Sequence, residues 1–176
     1  TKPLALTFAL AGAATLAGCT TVADVPTERV GQATLAFANG TPAGTVQLYR
    51  DGVGLRLGVA VTGMTPGPHG YHLHTTGRCE APDFTSAGGH LNPAGRKHGS
   101  LAAGGSHLGD LPNLVVDTGG NGTSTEALPG SRDAVLADIF DADGTAVVIH
   151  ADADDYRSDP AGNAGKRIAC GVLKRA

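Results

Sequence analysis

Apolar residues alternate with polar or small ones over short stretches of the chain, which is the pattern of half-buried β-strands. The clearest stretch places Val53, Leu55, Leu57, Val59 and Val61 at every second position. Successive side chains of a strand point to opposite faces of a sheet. This stretch therefore predicts a strand with one buried face and one face toward solvent.

Further stretches of the same kind follow at short intervals. They cover residues 33–37, 46–48, 71–74, 111–116, 123–128, 146–150 and 168–173. Asn39-Gly40 and Asn121-Gly122 supply turn residues between neighbouring stretches and favour tight hairpins. About eight short strands separated by turns predict a single all-β domain built as an antiparallel sandwich or barrel.

Two long glycine-rich stretches interrupt the strand pattern. Residues 75–106 and 151–165 are only weakly periodic, and loops of this length inside a compact domain usually carry function. Residues 131–140 are compatible with a short helical turn. We therefore expect an all-β domain with two long functional loops.

The beginning of the chain predicts export. Residues 4–18 form an apolar run behind Lys2 that is shorter than a membrane span and typical of a secretory signal. The ending LAGC at 16–19 resembles a bacterial lipobox, which would place a lipid on Cys19; the alternative is a signal peptide cleaved nearby, with Cys19 incidental. We divide the chain into a signal peptide (1–19), a tether (20–31) and a domain (32–176). The expected location is the bacterial periplasm or cell envelope, with membrane contact only through the lipid.

Composition narrows the classes of function. Charged residues make up 16% of the chain, the formal net charge is −3, and no basic stripe suggests binding to nucleic acid. The 27 glycines and 10 prolines suit short strands joined by turns. In an oxidising compartment outside the cytoplasm, Cys79 and Cys170 can pair.

The histidines are the strongest indication of chemistry. Six of the seven histidines and one aspartate form a candidate ligand group: His72, His74, His90, His98, His107, His150 and Asp110. Imidazole is the usual ligand for zinc and copper, and a carboxylate can complete a zinc set. Any one of these histidines alone could be a solvated loop residue or a hydrogen-bonded core residue. Together they are sufficient for two metal ions that share a ligand.

The spacing divides this group into two parts. His72 and His74 are two residues apart in a predicted strand, so they project from the same face, and His150 can join them if its strand packs nearby. The long loop carries His90, His98, His107 and Asp110. Three nitrogens and one oxygen form the closed tetrahedral set of a structural zinc site. His69 has no place in either part and is expected to form structural hydrogen bonds in the turn before the strand.

Five segments together resemble the copper–zinc superoxide dismutase family. They are GPHGYHLH (67–74), AGGHLNP (87–93), KHG (97–99), HLGDL (107–111) and GNAGKRIACGV (162–172). The segments occur in the family's order, and the similarity covers about residues 32–173. The resemblance implies an eight-stranded antiparallel Greek-key barrel, copper and zinc as cofactors, and dismutation of superoxide to dioxygen and hydrogen peroxide.

The resemblance also implies a role for each matching residue. The implied copper ligands are His72, His74, His90 and His150, and the implied zinc ligands are His90, His98, His107 and Asp110. His90 would thus bridge the metals and take up a proton as copper cycles between two oxidation states. Cys79 and Cys170 match the family's disulfide and Arg167 matches the arginine that holds the anion. Asp154 matches a carboxylate that accepts hydrogen bonds from His72 and His98.

The implied substrate is a small anion, and superoxide dismutases are a standard example of capture by electrostatic attraction. The candidate cations are Lys166 and Arg167, and further off Arg96, Lys97 and Arg157, opposed by Asp152, Asp154, Asp155 and Asp159. The residues that guide the anion stay open at this point, as does the choice between a monomer and a homodimer.

Three other functions fit parts of the sequence. A periplasmic metal carrier on the same barrel should lack Arg167 or a copper ligand, and a copper-only relative should lack the zinc set. A purely structural secreted barrel would hold fewer than two ions per chain. The complete ligand sets together with Arg167 favour the enzyme.

Overall fold

The computed structural model describes residues 28–52 and 54–176. The predicted signal peptide, the lipobox with Cys19, most of the tether and Val53 lie outside the described residues. The described part contains one short α-helix, one 3-10 helix and ten β-strands. The strands are β1 Glu28–Phe37, β2 Pro42–Asp51, β3 Gly54–Val61, β4 Gly67–His69, β5 Tyr71–His74, β6 Leu114–Val116, β7 Gly122–Leu128, β8 Ala146–His150, β9 Arg167–Val172 and β10 Lys174–Arg175.

The strands form one antiparallel barrel. Hydrogen-bonded neighbours follow the order β4-β6-β7-β3-β2-β1-β9-β8-β5, and β10 pairs with β1. Gly70 alone separates β4 from β5, so the two are halves of one bent strand, and the sheet closes through it. With β4 and β5 counted as one strand, the nine strands of this order form an eight-stranded barrel. Because β3 continues to β4 and β7 to β8 without pairing, the connections are of the Greek-key kind, and the predicted fold is confirmed.

Alternation along the strands builds the core as the sequence predicted. In β3, Leu55, Leu57, Val59 and Val61 are buried, whereas Arg56 between them is exposed. Complete burial of such an aliphatic side chain stabilises the fold by roughly 1.5–3 kcal/mol. The core inside the barrel is therefore the main source of stability and the rigid support for the strands that carry histidines.

The strand β1 begins earlier than the predicted domain boundary, because its first residues pair with β2. The register places Glu28 opposite Arg50, and their side chains form an ion pair at 3.0 Å. Residues 28–31 of the expected 20–31 tether thus belong to the sheet. Val30 is the one apolar side chain among them, so they show no apolar alternation and the pattern alone did not include them.

Two other predicted elements differ in extent. The stretch 111–116 forms a strand only at Leu114–Val116, and the compatible helical turn is an α-helix, α1, at Arg132–Ile139. This helix buries Val135, Leu136 and Ile139 against the core, three and four residues apart as a helical face requires. Within residues 28–52 and 54–176, no helix has the length and apolar character needed to span a membrane.

Two long loops lie beside the barrel, as expected. The first, residues 75–113, joins β5 to β6 and includes the 3-10 helix Thr85–Ala87, and the second, residues 151–166, joins β8 to β9. A disulfide between Cys79 and Cys170 ties the first loop to β9, which confirms the predicted pairing. The loop is thereby attached covalently to the barrel close to the candidate ligands.

Candidate metal centre

Three histidines are placed by two neighbouring strands. β5 and β8 pair antiparallel, with His72 opposite Val148 and His74 opposite Ala146, and His150 is the last residue of β8. The ring centroids of His72 and His150 are 5.0 Å apart, and those of His74 and His150 are 5.8 Å apart. We refer to His72, His74 and His150 as the strand-borne set.

The remaining candidates come from the first loop, which runs alongside β5. The backbone N–H of Leu73 donates to Gly109 O, and the N–H of Leu91 donates to Leu73 O. A side chain at Gly109 would place its Cβ 2.3 Å from Leu73 O, so only glycine permits this approach. We refer to His98, His107 and Asp110 as the loop-borne set. The pairing brings this set, and His90 with it, against the strand-borne set.

Four buried imidazole nitrogens converge on one point beside the strands. They are His72 Nδ1, His74 Nε2, His90 Nε2 and His150 Nε2, and they have no hydrogen-bond partner within the described part of the chain. Potential ligand atoms of these four residues all lie within 4.8 Å of one another. A buried polar atom without a partner is unfavourable by roughly 1–3 kcal/mol. A cation at this point would satisfy all four nitrogens.

The outer nitrogens of the strand-borne set fix the tautomers. His72 Nε2 donates to Asp154 Oδ2 at 2.7 Å, His74 Nδ1 to Gly88 O at 3.0 Å, and His150 Nδ1 to Gly165 O at 3.2 Å. Because carbonyl and carboxylate oxygens are acceptors, each outer nitrogen carries the proton. The inner nitrogens therefore present lone pairs, which is the state that a metal ligand needs.

Burial keeps these rings uncharged. It lowers the pKa of His74 to about 2, that of His150 to about 3 and that of His90 to about 4, and it also lowers the pKa of His72. Repulsion between neighbouring protonated imidazoles is a second, smaller cause of these low pKa values. At neutral pH the four inner nitrogens are consequently free to coordinate.

The loop-borne set is organised around one carboxylate oxygen. Asp110 Oδ1 lies 2.9 Å from His90 Nδ1, 2.9 Å from His98 Nδ1 and 3.1 Å from His107 Nδ1. Asp110 Oδ2 accepts the backbone N–H groups of Gly99 and His107. Burial would raise the pKa of Asp110, but the hydrogen bonds from His90 and these backbone groups outweigh it and hold the pKa below its usual range. Three imidazole nitrogens and a charged carboxylate fit zinc.

His90 belongs to both sets. Its Nδ1 faces Asp110, whereas its Nε2 is among the four nitrogens that converge beside the strands. Its ring stacks on that of His72 with 3.9 Å between centroids. One imidazole therefore separates two candidate metal positions.

Asp154 connects the two sets by accepting a hydrogen bond from one histidine of each. Its Oδ2 accepts from His72 Nε2 and its Oδ1 from His98 Nε2 at 3.0 Å. Burial acts to raise the pKa of Asp154, but these two hydrogen bonds lower it below its usual range. The sequence did not identify Asn113, whose amide accepts from Asp154 N at 2.8 Å and donates to Asp154 O at 2.9 Å. A single polar residue within a predicted strand offers no signal for such a role.

Arg167 lies beside the strand-borne set at the start of β9. Its Nη1 and Nη2 donate to Phe84 O and Gly88 O, each at 2.7 Å, so the first loop holds the guanidinium in place. A cavity of about 360 Å³ reaches this point and is lined by His74, His90, His107, His150, Arg96 and Arg167, among others. A small anion can thus reach an arginine and the converging nitrogens from the same space.

His69 lies apart from both sets, as the sequence predicted. Its Nδ1 is 2.8 Å from His150 O and its Nε2 is 2.8 Å from Thr65 O. The ring is buried and links the turn before β4 to the end of β8. Its role in the structure is a hydrogen-bonding one.

Comparisons with known proteins agree with this geometry. The family described as copper/zinc superoxide dismutase (SODC) matches residues 42–173. A copper–zinc superoxide dismutase of Aquifex aeolicus is 41% identical over 149 residues, covering 81% of this chain and 85% of the relative. A copper–zinc superoxide dismutase of Caulobacter vibrioides is 39% identical over 150 residues, covering 81% and 84%. The crystal structure of a superoxide dismutase-like protein from Bacillus subtilis superimposes with a TM-score of 0.77 at 35% identity, covering 84% of this chain and 100% of that one.

Proposed function

Because the chain belongs to the copper/zinc superoxide dismutase family, an oxidoreductase family whose cofactors are copper and zinc, we propose that it dismutates superoxide. Two superoxide anions and two protons would give dioxygen and hydrogen peroxide. In this proposal the strand-borne set and His90 hold copper, and the loop-borne set and His90 hold zinc. The observation that carries it is the convergence of four buried, unpartnered nitrogens beside a second set that shares the ring of His90.

The donor chemistry supports this division. Four imidazole nitrogens suit copper, whereas three nitrogens and a carboxylate oxygen suit zinc. Copper supplies one-electron redox chemistry when bound, and zinc, which has no redox chemistry, supplies charge and a fixed geometry. The residues around both sets hold the rings in the tautomers that coordination requires.

Arg167 binds and orients the substrate anion in this proposal. Its guanidinium stays charged at any relevant pH and offers a planar arrangement of donors. The hydrogen bonds to Phe84 O and Gly88 O prevent the side chain from swinging away. The anion is therefore held next to the cavity wall that carries His74 and His150.

His90 is the residue that can hold a proton at the cavity. Its Nε2 faces the strand-borne set and its ring lines the cavity, while Nδ1 is turned to the loop-borne set. Nε2 has no hydrogen-bond partner within the described residues, so this nitrogen can take up a proton when it is not bound to a metal. This supports a role for His90 in delivering a proton to the reduced product.

We also propose that the protein is exported to the bacterial cell envelope and carries a lipid on Cys19. The apolar run and lipobox at 4–19 support this step. One acyl chain alone anchors weakly, so stable attachment needs more than one. Mass spectrometry of the mature N-terminus tests it: an unmodified Cys19 or cleavage downstream of it contradicts the anchor.

A dismutation assay on protein loaded with copper and zinc tests the proposed function. The parent protein should be active and hold two ions per chain, and His150→Ala should lose nearly all activity together with copper. Val115→Ala, at a residue that is 69% exposed on β6, is the control and should match the parent. Equal activity in His150→Ala and the parent would overturn the assignment, and fewer than two ions per chain would favour a structural barrel.

A further inference from the structure

The cavity beside the strand-borne set has two cationic residues in its wall, Arg96 and Arg167. The sequence offered three further cations, and none of them lines this cavity. Lys166 lines a different groove, with Phe37 and Met64. Lys97 and Arg157 are exposed residues of the two loops. The structure therefore selects one cation, Arg96, in addition to the residue that binds the anion.

We infer that Arg96 captures the substrate anion at the entrance of the cavity and directs it to Arg167. This inference rests on the proposed function and adds a residue that raises the rate of substrate entry. Arg96 is exposed, whereas Arg167 is half-buried and held by two carbonyl groups. The two arginines thus form an outer and an inner position along the same cavity.

The backbone of Arg96 is held firmly for an exposed loop residue. Asn92 Nδ2 donates to Arg96 O at 2.8 Å, and Arg96 N donates to Asn92 Oδ1 at 2.9 Å. His107 Nε2 also donates to Arg96 O, at 3.1 Å. The loop-borne set and the entrance of the cavity are therefore joined through one carbonyl group.

The side chain of Arg96 also has a defined place. A Cβ built on Gly105 would lie 2.7 Å from Arg96 Nη1, so the guanidinium rests against the backbone of this glycine. Gly105 has φ +98°, a conformation that side chains rarely adopt. Gly105, two residues before His107, thus leaves room for the guanidinium at the cavity.

The charge of Arg96 is not neutralised by a neighbour. Among residues 28–52 and 54–176, no carboxylate oxygen forms an ion pair with it within 4.0 Å. Asp159 lines the same cavity from the second loop, but its Oδ1 accepts the backbone N–H of His98 at 2.8 Å. An entering anion therefore meets an attractive charge on the first loop and a repulsive one on the second. The position of Arg96 favours entry along the first loop.

The physical consequence is a rate that depends on salt. Charges that focus a field into a cleft raise the association rate of an opposite ion by about 10–1,000-fold in total. Exposed charges are screened over about 8 Å at physiological ionic strength. A single exposed arginine at the entrance should thus supply part of this factor, and salt should remove it.

The test compares Arg96→Gln with Lys97→Gln. The two substitutions remove the same charge from adjacent exposed residues, but Lys97 does not line the cavity. At low salt we expect Arg96→Gln to lower kcat/KM by about three- to tenfold and Lys97→Gln by less than about twofold, a fraction of the whole steering factor. The deficit of Arg96→Gln should shrink as the ionic strength rises, and Arg96→Glu should show a larger deficit with the same trend.

Metal content and the Tm of each variant separate guidance of the anion from a structural effect, because every variant retains the carbonyl group that His107 contacts. Equal deficits in Arg96→Gln and Lys97→Gln, or a deficit that does not change with salt, would overturn the inference. An inactive, fully metallated parent protein would instead contradict the proposed function. The two failures are thus distinguishable in one experiment.

Discussion

The strand-borne and loop-borne sets each bring their ligand atoms close together, but different contacts hold them in place. Ladder hydrogen bonds between β5 and β8 position His72, His74 and His150, and their inner nitrogens are left without partners within the described residues. Polar bonds to Asp110 position His98 and His107, and that carboxylate is itself held by backbone N–H groups of the loop. The first arrangement depends on the barrel, and the second depends on the loop's own contacts.

This difference indicates which set should fail first. The strands are buried in a continuous core, and local opening there requires the loss of much of the fold. The first loop anchors Phe84, Leu91 and Leu111 in the core, but the arrangement of its ligands depends on polar contacts with Asp110 and Asp154 and on the disulfide. We therefore expect changes in the loop to release the loop-borne set while the strand-borne rings stay in place.

The largest expected effect comes from removing the disulfide. The double variant Cys79→Ser/Cys170→Ser removes a crosslink between residues 91 apart in sequence and frees the first loop from β9. The chain-entropy model predicts a loss of about 4–5 kcal/mol in the free energy of unfolding. Urea denaturation measures the loss, and hydrogen exchange should show faster opening of residues 75–113 than of β5 and β8. Uniform acceleration in both regions would remove the distinction between the two sets.

Asp110→Ala tests the loop-borne set more directly. The substitution removes the oxygen on which three Nδ1 atoms converge, together with the acceptor for Gly99 N and His107 N. Zinc affinity should fall by more than the roughly 100-fold that loss of an outer partner of a ligand can cost. Competition with a chromophoric chelator measures it. His150→Ala is the matched control and should keep its zinc while losing copper.

The sequence predicted both sets because their chemistry is local. His72 and His74 are two residues apart in an alternating stretch, and the loop histidines share one window with Asp110. The placement of His150 could not be predicted from the residues alone, because it depends on the register of β8 against β5. The resemblance to a known family supplied that connection.

Other features escaped the sequence for a related reason. Asn113 acts through contacts with a residue far along the chain, and Arg96, one of several candidate cations in the sequence, is distinguished from the others only by its place in a cavity wall. The first residues of β1 show no apolar alternation and are recognisable as a strand only through their pairing with β2. Local patterns thus identify candidate functional residues, whereas strand register and loop packing determine which of them are in contact.

Asp154→Asn asks whether the two sets are independent. The carboxylate accepts from His72 on one side and His98 on the other, and an amide can accept from only one of them. Both copper and zinc affinities should fall, each by about 10–100-fold. Asp155→Asn, which changes the neighbouring exposed carboxylate, should leave both affinities close to those of the parent. Loss of one metal alone would mean that Asp154 does not couple the sets.

The smallest expected effect concerns acid and the metal-free protein, and it addresses the strand-borne set. Burial lowers the pKa of His74 to about 2 in the folded state, below the usual 6.5 of a histidine in an unfolded chain. As the pH falls below about 6.5, the unfolded state takes up a proton that the folded state refuses, so the stability contribution of this ring is present above that pH and is lost below it.

His74→Gln should reduce the acid dependence of the metal-free protein, because glutamine does not titrate and can still donate to Gly88 O. Between pH 6 and 4 the slope of the unfolding free energy should decrease by up to about 1.4 kcal/mol per pH unit, the value of one proton. Urea denaturation at several pH values measures the slope, with Val115→Ala as a control that retains the parent's slope. An unchanged slope in His74→Gln would show that the strand-borne rings accept protons before the barrel unfolds. In that case the strands would be less rigid than their hydrogen bonds indicate, and the contrast with the loop would be smaller.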